Sequence, residues 1–106
     1  MKIPSDAVIA SEKLTKYLLV PRNKSDKSRY LARAGFRLAE PEVLEKAIRA
    51  LCAAVDAVED GADIYGTDYT VAGKLAGPSS SPLPVVVVWV RRADGLFRLV
   101  TVKPDK

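Results

Sequence analysis

A chain of 106 residues, 48% hydrophobic and 28% charged, is long enough for one compact domain with its own core and too apolar for a disordered segment. The single cysteine, Cys52, excludes an internal disulfide and a CxxC zinc pattern, and the lack of histidine removes the commonest general base near neutral pH. The net charge of +4 is laid out unevenly: residues 13–37 carry eight basic side chains against one acid, and residues 38–68 carry two against eight. Such segregation makes a field that attracts a polyanion, unless the two blocks neutralise each other in the fold.

The opening "KIPSDAVI" reads as an extended lead-in, because Pro4 and Asp6 disfavour a helix start. It has no apolar stretch long enough for a signal peptide, and the longest apolar run, "VVVVWV" at 85–90, is too short to cross a bilayer. A soluble, cytoplasmic protein is expected. A first helix begins near Ser11, with Leu14, Leu18 and the neighbouring Tyr17 as its apolar stripe, and Pro21 stops it.

The basic loop 22–26 follows. Asp26 is a suitable N-cap for a short second helix, "KSRYLARA", and Gly35 a suitable residue just past its end. Lys27, Tyr30, Leu31 and Ala34 share the face turned to the core, while Arg29 and Arg33 pair at i, i+4 on another. The third helix is read across "EPEVLEKAIRALCAAVDAVEDG", with Pro41 in its first turn and Gly61 at its end. Leu44, Ile48, Leu51, Cys52, Val55 and Val58 keep helical spacing, although the terminal acids oppose the helix dipole.

After Gly61 the period changes to two. "YGTDYTVAGKLAGP" sets Tyr69, Val71, Gly73 and Leu75 against Thr70, Ala72 and Lys74. "SSSP" marks a turn, "LPVVVVWVRR" a central strand apolar on both faces, Asp94-Gly95 a hairpin, and "LFRLVTVKP" the last strand. The expected fold is α+β: about three N-terminal helices, then an antiparallel meander of three to four strands with the helices on one face, all within one domain, 1–106.

Cys52, among Ile48, Leu51 and Val55, reads as a buried thiol with little reactivity. "GTDYTVAG" lacks the lysine and helix of a phosphate loop, and no metal motif is present. What remains is a set of cations and hydroxyls on different elements: Lys27, Lys74, Arg91, Arg92, Arg98 and Thr101. Such a set suits a phosphodiester, since Lys and Arg stabilise charge on a phosphorane-like transition state and RNA supplies its own 2′-OH nucleophile. Proton transfer would then fall to Lys, Tyr, Asp or Glu.

"IPSDAVIASEKLTKYLL", "KSRYLARAGF", "YGTDYTVAGKLAGP" and "VVVVWV…FRLVTVKP" together resemble a family of small uncharacterised bacterial toxin-like domains, stand-alone or at the C-termini of larger toxins. Helices followed by an antiparallel sheet are similar to the barnase–EndoU–colicin–RelE ribonuclease superfamily. The resemblance implies a ribonuclease of a toxin–antitoxin pair, needing no cofactor or metal and held by a small antitoxin-like partner. It places the family's lysine on Lys27, its "R-L-V-T" on Arg98 and Thr101, and its tryptophan on Trp89. Lys27, Arg98 and Thr101 are thus the candidate catalytic residues, with Arg22, Lys24, Arg29, Lys74 and Arg91 as candidate RNA contacts. Two departures stand out: "SSSPLP" where the family has Gly-Arg, and Val87 where it has threonine.

Arg98 and Thr101 have opposite parity, so a regular strand would put them on opposite faces unless a bulge intervenes. The alternative from a different class is a non-catalytic protein-binding module, favoured by the doubly apolar "VVVVWV" strand. The sequence leaves self-association into a homo-oligomer open.

Overall fold

The computed structural model describes residues 1–19, 27–79 and 82–105. A single α-helical turn, α1 (Ser11–Lys13), runs on into a π-helix, Leu14–Leu18, and is followed by α2 (Ser28–Ala32) and α3 (Pro41–Ala54). Four strands complete the chain: β1 (Val58–Asp63), β2 (Gly66–Leu75), β3 (Leu83–Arg91) and β4 (Phe97–Pro104). They form one antiparallel sheet in the order β1-β2-β3-β4. The α+β arrangement read from the sequence is the fold that forms. The Pro21 stop and the Asp26 cap lie outside the described residues.

The core is made by the alternation of the strands. Tyr69, Val71 and Leu75 of β2, Val85, Val87 and Trp89 of β3, and Phe97, Leu99 and Val102 of β4 are buried. Leu44, Ile48, Leu51 and Cys52 of α3 are buried too. Gly73 lets α3 come close to the sheet, because a Cβ there would lie 2.6 Å from Leu51 Cδ1. On the other parity of β3, Val86, Val88 and Val90 are half-buried.

The third helix is shorter than its apolar spacing predicts. It ends at Ala54, Val55 is already extended, and Val58 lies exposed in β1. The reason is local: the β-branched Val55 and Val58 favour extended backbone, and the acids after Ala54 oppose the dipole. Gly61, expected just past the helix, instead has φ +105 within the register shift between Glu59 and Ala62. The strand so gained is exposed at all six residues.

The turn chemistry holds at Gly35 and at Asp94-Gly95, while the "SSSP" turn lies partly outside the described residues. Gly35, at φ +94, ends α2, with the Phe36 N–H donating to Leu31 O at 3.3 Å in a Schellman-type closure. Gly95, at φ +81, turns the β3–β4 hairpin, where Asp94 Oδ1 accepts from the Leu96 N–H at 2.9 Å. The N-terminal lead-in stitches onto the edge of β4: Val8 donates to Phe97 O at 2.7 Å and accepts from Leu99 N at 3.0 Å.

Candidate functional site

The π-helix is built from "LTKYL", in which Leu14 and Leu18 enter the core and Leu19 N–H donates to Leu14 O at 3.1 Å. Tyr17 lies between them, half-buried. Its hydroxyl is where distant parts of the chain meet. Lys27 Nζ donates to it at 3.2 Å from the start of α2, and Thr101 Oγ1 lies 3.5 Å away on β4. Lys27 Nζ is 5.3 Å and Lys13 Nζ 5.6 Å from the centroid of the Tyr17 ring, so two ammonium groups flank one phenol. π-Helical turns are rare and recur at functional sites.

Thr101 is 8% exposed, the one buried polar side chain among the described residues. Its place follows from β4. Val88 pairs with Thr101 and Trp89 with Leu99, leaving Val100 as an extra residue in a bulge. Arg98 pairs with Val90, so Arg98 and Thr101 stand opposite residues of like parity on β3. The bulge removes the parity conflict that a regular strand would impose. Arg98 is not in the Tyr17 cluster, however: its guanidinium donates to Asp94 Oδ2 at 2.7 Å. The Asp94 carboxyl is held below its usual range by the Leu96 N–H and, secondarily, by Arg98. Both partners are well exposed, so the pair adds little to stability.

Arg29, Lys74 and Arg91 are exposed on α2, β2 and the end of β3, and make no hydrogen bond or ion pair to the cluster among the described residues. Arg22 and Lys24 lie outside the described residues. Among those described, the salt bridges join Asp56 to Lys2 and the N-terminus, Glu45 to Arg49, Asp94 to Arg98, and Glu40 to Arg37. Only the last links the basic block to the acidic one. Lys13, Lys16, Lys27, Arg29 and Arg33 are not neutralised by it.

Tyr17 is the residue that sequence reasoning missed, read as part of an apolar stripe. The available signal was its i, i+4 relation to Lys13 on a basic helix, which places a phenol tip among cations. The Val87 departure touches none of this, because Val87 is fully buried in the core. No three His, Cys, Asp or Glu side chains gather to hold a metal ion among the described residues. No helix there is long and apolar enough to cross a membrane.

A helical, basic N-terminal half thus packs on an antiparallel sheet, and a phenol–ammonium–hydroxyl cluster joins the π-helix, the start of α2 and β4. The particular family follows from comparison. The chain belongs to a family described as a domain of unknown function (DUF6883), whose pattern matches residues 3–106. Neither a curated protein nor a solved structure matches the chain.

Proposed function

We propose that this chain is a toxin-like ribonuclease that acts in the cytoplasm, binds RNA through its basic face and cleaves it at the Tyr17 cluster. The observation that carries the reading is the meeting of Lys27, at the start of α2, and Thr101, on β4, at the Tyr17 hydroxyl of the π-helix. The chemistry needs only these side chains and the substrate. The RNA 2′-oxygen attacks phosphorus, its proton passing to water, and the bond to the 5′-oxygen breaks. The Tyr17 phenol gives its proton to the departing 5′-oxygen and regains one from solvent. The products are a 2′,3′-cyclic phosphate and a 5′-hydroxyl.

Lys27 and Thr101 would donate to the non-bridging oxygens as charge builds there. Arg98 lies two rungs along the β3–β4 ladder from Thr101, and its exposed Asp94 partner is one that a phosphate would replace. A small antitoxin-like protein would hold the activity in check by covering the basic face. The test is induced expression in a bacterial host, following growth and total RNA together. Growth arrest with new fragments ending in cyclic phosphate, both relieved by Lys27→Ala, is the expected result. Full cleavage by Lys27→Ala and by Arg98→Ala would sink it.

One observation favours a second reading, a binding module without catalysis. Val86, Val88 and Val90 form a half-buried apolar row on the parity of β3 opposite the core. Normal growth and intact RNA on expression would favour that reading.

A further inference from the structure

On the side of the sheet that carries α3, away from the residues of the Tyr17 cluster, lies a pocket of about 240 Å³. The lead-in supplies one wall, through Ile3, Pro4 and Ala7, and α3 supplies the other, through Ala53. Trp89, Cys52 and Arg49 complete it, with Ser5 also on its lining.

Two features set it apart from a packing defect. Trp89 is 1% exposed, and its indole Nε1 has no hydrogen-bond partner among the described residues. The indole N–H lies near enough to the Cys52 sulfur to favour its thiolate, but the contact falls short of hydrogen-bond geometry and sulfur is a weak acceptor. A buried donor without a partner is rare in a folded protein. The second feature is Arg49. Its Nε donates to Glu45 at 3.0 Å and one terminal nitrogen donates to Ala7 O at 3.0 Å, which fixes the guanidinium at the lining of the pocket. The remaining N–H groups have no protein partner among the described residues. The pocket therefore offers apolar walls with donors at two places, and among its side chains only the Ser5 hydroxyl and the weak Cys52 sulfur can accept.

We infer that this pocket binds a small monocarboxylate with a branched or aromatic body, its carboxylate taking the Arg49 guanidinium and the Trp89 N–H. The volume exceeds that of a cavity known to admit benzene, so a body of that size fits with room for the acid group. Arginine is the cation best shaped for a carboxylate. The inference does not depend on ribonuclease activity.

Trp89 is the only tryptophan in the chain, so its emission and its indole N–H resonance report the pocket directly. The experiment titrates the whole protein with isobutyrate, isovalerate, benzoate and phenylacetate, each beside its uncharged amide. At least one acid is expected to move both signals saturably in the millimolar range or below, and its amide to bind roughly tenfold more weakly, the loss of one charge-assisted contact. Arg49→Met should weaken the acid by a similar factor. Ala53→Phe, at an exposed helix position on the lining, should abolish the response while the melting temperature holds.

Signals unmoved by every acid would mean that water satisfies the indole, and would overturn the inference. Amides binding as tightly as acids would overturn the carboxylate assignment. A response that survives Ala53→Phe would place the ligand elsewhere and overturn the site.

Discussion

The Tyr17 hydroxyl has a structural role and, on the proposed function, a separable chemical one. Tyr17→Phe keeps the ring against the core and removes only the oxygen that Lys27 and Thr101 share. The stability cost should be about 1 kcal/mol, the net worth of a part-exposed hydrogen bond, read from a urea midpoint. Cleavage of an RNA oligonucleotide by the purified protein should fall about 100-fold or more if the phenol is the acid. Lys27→Ala should lose a comparable factor with a similarly small change in stability.

At the same scale, burial raises the Cys52 thiol above its ordinary range, although Trp89 and Arg49 pull the other way. The sign follows directly. Below about pH 8.5 the thiol is protonated in both folded and unfolded chains, and its contribution to stability is complete. Above that, the unfolded chain ionises first and stability falls. Iodoacetamide labelling should accordingly be slow at neutral pH, and unfolding midpoints should drop in alkaline buffer by more than in a Cys52→Ala variant.

At the scale of elements, the close approaches make a ranked prediction. A Cβ at Gly77 would strike the carbonyl oxygen of Ala34, whereas one at Gly73 meets the far end of the Leu51 side chain. Backbone cannot step aside and a leucine methyl can. Gly77→Ala should cost about 1–3 kcal/mol, and Gly73→Ala distinctly less, measured as denaturant midpoints.

The elements also show what the sequence makes readable. Leu44, Ile48 and Leu51 announce α3, and the alternation from Tyr69 to Leu75 announces β2, because one face of each is buried. β1 has no such face: all six residues are exposed, so no period exists to find, and the helical spacing of Val55 and Val58 misleads. The bulge at Val100 is equally silent, since an apolar β-branched residue fits a regular strand just as well. For the site, Lys27 and Thr101 were legible as cation and hydroxyl. Their meeting point was not, because Tyr17 looks apolar until the sheet brings Thr101 beneath it.

For the whole molecule, the segregated charge survives folding. Arg29 on α2 and Arg33 at its C-cap are exposed with no carboxylate partner among the described residues. On the proposed function, RNA binding should weaken steeply with salt, log Kd varying linearly with log salt concentration. Replacing both arginines with alanine should weaken binding to unrelated RNA sequences alike and lower the slope by about 1.4, the value for two contacts to a single strand. A slope left unchanged would remove this face from the RNA-binding surface.

The strip of lead-in bound to β4 has an outcome at the level of assembly. Val8 occupies the backbone groups at Phe97 and Leu99, so that border of the sheet is already in use over its first half. The opposite border, β1, pairs with no further strand among the described residues and carries the charges of Glu59, Asp60 and Asp63. Over that half of β4 the sheet can be extended at β1 alone. Strand-by-strand growth between copies is thereby biased toward a closed pair through β1 and away from a running fibre.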